Sequence, residues 1–374
     1  IALHPCLDKY SQGDKQENFF QLRQNIWHNH IARVYSELKE QPLMEVDGRP
    51  TIGMQRTLYT IHTGILWAHF FDQLGFRLVL TRPTDSEISS DGIEAMVSET
   101  CYPIKVSHGH IKALIGKTRY LFLPSVVDMP TPNEHETGFY CPLVQSNYYM
   151  MKSSLDLDEK VVLHPVIHLK NDLDTLALEM SEQLPSRRGF RKSSVKKALE
   201  HAWRRQEKFN KELFARGKDF FESHDPDRPL VIVTGRPYNL YDDRLNLKLG
   251  HNLAKIGVTA LPMDFIDVRS IDLSDFPSMY WGLGAQILRT AKFIKSHPNY
   301  FGLHITNFSC GPDSFLEHFY KYIMGDKPYL ILELDEHSAV AGVMTRLEAY
   351  KNVIENTMKR ANAASPKRQE IISY

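Results

Sequence analysis

The chain has 374 residues, enough for two or three domains of ordinary size, and 42% apolar with 24% charged residues is globular composition rather than that of a disordered chain. Lys plus Arg and Asp plus Glu both number 45, and this zero balance argues against a dedicated nucleic-acid binder, which carries a basic excess. No apolar run approaches the ~18 residues that a membrane span needs; the best stretch, Gly64 to Phe71, is short and contains His69.

Asn18 to Lys39 carries apolar residues at three- and four-residue steps and is predicted as a helix. Asp47-Gly48-Arg49-Pro50 is a turn signal, followed by a short strand, Thr51 to Met54. A helix from Thr57 to Gln73 is closed by Gly75, and Phe76 to Thr81 is the next strand. This β-α-β order predicts a parallel sheet. The plan recurs later. Leu230 to Thr234 is a strand ending in Gly235-Arg236-Pro237-Tyr238; a helix from Asp243 to Ile256 is capped by Gly257; Val258 to Met263 is a strand. Tyr329 to Leu334 is a further strand, before a helix from Ala339 to Ala363.

The expected fold class is therefore α/β, with two similar Rossmann-like or flavodoxin-like domains built on small parallel sheets. The expected boundaries are an N-terminal helical segment at 1–48, a first α/β domain at 49–185, a basic helical connector at 186–227 and a second α/β domain with a terminal helix at 228–374. The connector carries a run of basic residues from Arg187 and Arg188 through Arg204, Arg205 and Lys208 to Lys218, with Ser193-Ser194 as its N-cap signal. It reads either as a solvated helix bridging the domains or as a docking surface for an acidic partner or phosphates.

There are four cysteines and no C-x-x-C, which points to reduced thiols in a cytoplasmic protein. Buried cysteines acting as small apolar residues are the plainest reading. Three of them share a context, however. Cys101, Cys141 and Cys310 are each followed within two residues by proline, which favours the first turn of a helix. Helices are expected at Ile104 to Leu114 and Asp313 to Met324, and a strand at Gly302 to Phe308 puts Cys310 at a strand's carboxyl end. A thiol at a helix N-terminus meets unpaired N–H groups, which favours the thiolate, the metal-binding form. Cys6 has proline before it and is read as structural.

Three widely spaced thiolates suit an iron–sulfur cluster better than zinc, whose ligands come in close pairs. A Cys₃His zinc site drawing on His108 or His110 is the alternative. Three protein ligands on a four-iron cluster would leave one iron open.

The segments Ser98 to His110, Tyr140 to Ser146, Gly235 to Tyr238, Thr306 to Ser314 and Glu333 to Tyr350 resemble the acyl-CoA dehydratase activase-related proteins. These are relatives of the 2-hydroxyacyl-CoA dehydratase and benzoyl-CoA reductase iron–sulfur subunits and of the double-cubane cluster proteins. The similarity covers about residues 50 to 350. It implies a [4Fe-4S] cluster held by Cys101, Cys141 and Cys310 in a cleft, one iron open, and a low-potential electron delivered by a separate ATP-hydrolysing activase domain or subunit. The chain would then be an iron–sulfur redox component that reduces a small substrate or passes electrons on. The alternatives are a 2-hydroxyacyl-CoA dehydratase subunit, binding acyl-CoA, and a non-catalytic scaffold of a larger activase. Related subunits work as dimers, so a homodimer is expected. A start at Ile1 fits a piece of a longer polypeptide.

Other residues keep two readings. Arg236 either pairs with a CoA phosphate or carboxylate, or braces its turn. Asp335, Glu336 and His337 either move protons or cap the last helix. His108 and His110 are candidates for hydrogen bonds that tune the cluster. No G-x-x-x-x-G-K-[ST] sequence is present, so ATP chemistry belongs to the partner.

Overall fold

The computed structural model describes residues 17–185 and 189–364; Cys6, Arg187 and Arg188 lie outside the described residues. Helix α1 (Phe19–Ile31) starts where Asn18 Oδ1 accepts from the N–H groups of Phe20 and Gln21. It ends eight residues earlier than its periodicity suggests. Tyr35–Glu37 instead forms β1, a parallel edge strand on residues 78–80. A three-residue strand needs its partner's backbone to exist, and apolar spacing carries no trace of it.

The first sheet continues with β2 (Glu45–Val46) and β3 (Arg49–Met54), joined by the turn at Asp47-Gly48, then α2 (Tyr59–Gln73) and β4 (Arg77–Leu80). Helices α3 (Ser86–Glu94) and α4 (Tyr102–Leu114) lead to β5 (Tyr120–Phe122) and β6 (Ser125–Asp128). Helices α5 (Pro142–Gln145) and α6 (Asn147–Ser154) precede β7 (Val162–Leu163), β8 (Val166–His168) and α7 (Leu173–Ser181). The strand order is β1-β4-β3-β5-β7, all parallel, with β2 antiparallel on β3. A separate parallel pair, β6-β8, was not expected. Residues Thr51 to Met54 of β3 are buried, as a central strand covered on both faces requires.

Helix α8 (Lys192–Ser223) spans 32 residues, about 48 Å at 1.5 Å per residue. Its cap is Arg191, not the Ser193-Ser194 pair, which lies inside the first turn. It is no free bridge. Val195, Ala198, Leu199, Ala202, Phe209, Leu213 and Gly217 form a buried stripe at helical spacing, packed on α1, α2 and α7. At Gly217 a Cβ would stand 1.9 Å from the Phe265 carbonyl oxygen, so this close approach admits only glycine.

The second sheet begins with β9 (Leu230–Gly235), α9 (Pro237–Tyr241), α10 (Leu249–Lys255) and β10 (Ala260–Pro262). Then come α11 (Gly282–Ser296), β11 (Tyr300–Asn307), α12 (Gly311–Met324), β12 (Tyr329–Leu334) and α13 (Val340–Ala364). The order β10-β9-β11-β12 is fully parallel. The expected helix at 243–256 is only α10: Asp242 Oδ1 accepts from Arg244 and Leu245 N–H, and Leu247 and Lys248 have positive φ, which blocks an earlier helix. The architecture is thus the expected α/β class with small parallel sheets. Among the described residues no helix is long and apolar enough to cross a membrane.

Candidate functional site

Strand order decides where the site lies. From β9 the chain moves outward to β10, then returns to β11 on the opposite side. Connections leave the sheet in opposite directions there, and the crevice at the strands' carboxyl ends is where open α/β sheets take ligands. Arg236 follows β9 at that crevice, and Cys310 follows β11. Ser309 reaches Cys310 with φ +63°, a left-handed conformation uncommon outside glycine.

Each of the three cysteines is the N-cap of a helix with proline in the first two positions: Cys101 on α4, Cys141 on α5, Cys310 on α12. All are buried and free of disulfides. None makes a side-chain cap hydrogen bond; their carbonyl groups start the helices instead. The thiols come from separate loops but influence one another. Cys141 acts electrostatically on Cys101, Cys101 on Cys310, and all three on the Tyr238 phenol.

The pull of a helix N-terminus toward thiolate is outweighed at Cys101 and Cys310. Burial, with a contribution from Cys141, pushes the Cys101 thiol up to about 12, against the pull of the Ile104 N–H and Arg236. Burial and then Asp313 raise Cys310 likewise. Without a bound cation these thiols keep their protons. Among the described residues no group of three or more His, Cys, Asp or Glu side chains stands close enough to hold a single metal ion. The two histidines do not complete such a site. His108 Nδ1 bonds the Ile104 carbonyl at 2.8 Å, and His110 has both ring nitrogens on threonines, Thr81 at 2.6 Å and Thr84 at 3.0 Å.

Arg236 braces the site rather than presenting itself to a phosphate. Its Nε and Nη2 both donate to Asp313 Oδ1, at 3.1 and 2.7 Å, and Thr306 Oγ1 donates to Asp313 Oδ2 at 2.7 Å. Burial alone would raise the Asp313 carboxyl; Arg236, His304 and the Thr306 hydroxyl hold it below its ordinary value. Asp335 caps locally, accepting from His337 N–H and Ser338 Oγ. Glu336 does something the sequence did not signal: its Oε1 lies 2.5 Å from Nζ of the buried Lys105 on α4, one turn beyond Cys101. That pair ties the Cys101 helix to the end of β12.

Residues 51–266 match the family described as CoA enzyme activase uncharacterised domain (DUF2229). The chain belongs to this family. The match runs through Cys101, Cys141 and Arg236 and stops before Cys310. The activase-related chain has no match among curated proteins. Among solved structures it is similar to an Mn-bound periplasmic metal binding protein from Candidatus Liberibacter asiaticus (14% identity, 82% of this chain and 99% of that chain, TM-score 0.23). It is also similar to the periplasmic zinc binding protein TroA from Treponema pallidum (11%, 83% and 99%, TM-score 0.24) and to the Ni²⁺ complex of FpvC from P. aeruginosa (11%, 84% and 98%, TM-score 0.24). Scores this low establish no shared fold.

Proposed function

We propose that this chain is the iron–sulfur redox component of an ATP-dependent CoA-enzyme activation system, with Cys101, Cys141 and Cys310 as ligands of a [4Fe-4S] cluster. One observation supports the reading above the others. Three buried thiols without disulfides, each an N-cap with proline in the helix's first two positions, come from three loops, and all three act electrostatically on the Tyr238 phenol, two residues after Arg236. Such a soft donor set fits iron–sulfur chemistry, and a multi-iron cluster spreads its ligands more widely than a single ion does. Bound there, the cluster would supply low-potential electron transfer and an open iron.

The protein's part is to hold and shield. Burial keeps water from the sulfurs. Arg236 sets a fixed positive charge that favours thiolate at Cys101, while at Cys310 the carboxylate of Asp313 outweighs it; Asp313, itself bonded by Thr306, holds the guanidinium in place. Electrons would arrive from an ATP-hydrolysing activase, and this chain would reduce a small substrate or pass them on. The exposed Arg204 and Lys208 of α8 are the proposed contact for that partner, and a homodimer would cover the crevice further.

Anaerobic reconstitution with iron and sulfide tests the reading. About four irons per chain and an electron paramagnetic resonance signal after reduction are expected, and serine at any of the three cysteines lowers both. A colourless, iron-free protein after reconstitution overturns it. For the partner, Arg204→Glu with Lys208→Glu slows ATP-dependent reduction most at low salt; unchanged kinetics there remove the docking role.

A further inference from the structure

A cavity of about 370 Å³ lies between α8 and the segment that follows β10. Small-molecule pockets run from roughly 300 to 1,000 Å³. Leu66 of α2, Leu213 and Phe209 of α8, and Ile266 and Val268 make its walls mainly apolar. Its buried charges are already matched. Arg23 is stacked over the Tyr241 ring, 4.2 Å from the centroid, and faces Asp264 at 3.7 Å. On the rim, Arg269 is paired with Asp267.

His62 and Tyr140 line both this cavity and the narrow gap beside Cys141 and Arg236. Tyr140 Oη stands 2.7 Å from His62 Nδ1. The phenol has no other hydrogen-bond acceptor among the described residues, so its O–H donates to Nδ1. Burial pushes His62 down to about 4, and the ring is neutral near pH 7. A neutral imidazole that accepts at Nδ1 carries its proton on Nε2. Among the described residues nothing accepts from that N–H. The cavity therefore has mainly apolar walls and paired buried charges, and His62 Nε2 is its spare neutral donor next to the gap at Cys141, with the side-chain amides of Asn210 and Gln286 and the Trp203 indole elsewhere on the wall. A ligand anion would find no uncompensated buried cation, and a ligand cation no uncompensated carboxylate.

We propose that this cavity binds a small uncharged carbonyl compound, whose oxygen accepts from His62 Nε2–H while its apolar body lies against Leu66, Leu213 and Phe209. The site stands whether or not the three thiols hold a cluster, because its walls include none of them. Its place beside Cys141 puts such a ligand next to the proposed redox centre.

The test is calorimetric titration of the whole chain with hexanamide, with hexanoate and hexylamine as charged probes of equal length. Long-range ¹⁵N spectra of the histidines run in parallel. Saturable binding of hexanamide at least tenfold tighter than either charged probe is expected, with a shift at His62 Nε2. His62→Phe should weaken hexanamide about tenfold, the value of one net hydrogen bond. Asn210→Trp, at an exposed wall position, should abolish binding; Lys211→Trp is the second filling variant, and circular dichroism checks that both fold. Failure of hexanamide to saturate overturns the proposal. So does equal affinity for all three probes, binding indifferent to both tryptophans, or a His62 protonated on Nδ1. Iron content is measured on the same samples, so loss of the cluster reading and loss of this one are read separately.

Discussion

Arg236 Nη2 lies 2.7 Å from Asp313 Oδ1, with the two side chains 1% and 0% exposed. The pair joins the turn after β9 to the first turn of α12, across the crevice between the carboxyl ends of β9 and β11. Two charges this deep exist only because each satisfies the other, and Thr306 takes up the remaining carboxylate oxygen.

Removing one member should therefore cost more than removing both. Arg236→Met or Asp313→Asn alone is expected to lose about 3–5 kcal/mol in urea unfolding, because a charge is left buried without its partner. The double variant Arg236→Met/Asp313→Leu should cost less than either single change. Additive losses in the cycle would show that the two residues do not act as a unit.

The grip of Glu336 on Lys105 makes an asymmetric prediction. Lys105 has two acidic partners, Glu336, 13% exposed, and Glu99, 90% exposed. Glu336→Ala is expected to cost about 1.5–3 kcal/mol, the range for a charged hydrogen bond at a buried donor. Glu99→Ala should leave the unfolding midpoint unchanged, since solvent screens an exposed pair. Equal effects of the two substitutions would refute this division.

Helices α3 and α4 touch backbone to backbone. A Cβ on Gly109 would stand 1.8 Å from the Ile88 carbonyl oxygen, and one on Gly92 2.1 Å from that of Lys105. Alanine favours a helix over glycine by about 1 kcal/mol, yet Gly109→Ala should destabilise by about 1–3 kcal/mol as α3 is forced away. Gly342, inside α13 with open space around it, is the control. Gly342→Ala should stabilise by about 0.5–1 kcal/mol in the same thermal scans. A stable Gly109→Ala would mean that the two helices do not meet as described.

A buried polar chain, Thr81–His110–Thr84–Asp242, carries a pH dependence of mixed sign. Burial pushes His110 down from 6.5 to about 3. Its contribution to stability is complete above pH 6.5 and is lost as pH falls below that value. Burial pushes Asp242 up from 3.8 to about 6. Its contribution is complete below pH 3.8 and is lost as pH rises through 6. The two slopes oppose each other between these carboxyl values. Asp242→Asn removes one of them, so its stability should fall about 1.4 kcal/mol per pH unit more steeply than the parent's as pH drops from 6 toward 4. Parallel pH profiles for the two proteins would contradict the assignment.

Features set by neighbours along the chain were legible without coordinates. The β-α-β units showed in apolar spacing and in Gly75 and Gly257 after their helices. Proline beside Cys101 and Cys310 announced the helix starts that α4 and α12 show, while the short α5 after Cys141-Pro142 was not expected. These signals act over three or four residues, through φ restriction and capping. The edge strand β1, the β6-β8 pair and the late start of α10 left no such trace. Neither did the partners of Arg236 and Lys105, 77 and 231 residues away. Only the tertiary structure decided these, because strand pairing and burial depend on which surfaces meet. The same holds for the thiols. Local chemistry at a helix N-terminus pulls toward thiolate, but desolvation in the assembled crevice is the larger effect and keeps Cys101 and Cys310 protonated until a cation compensates them.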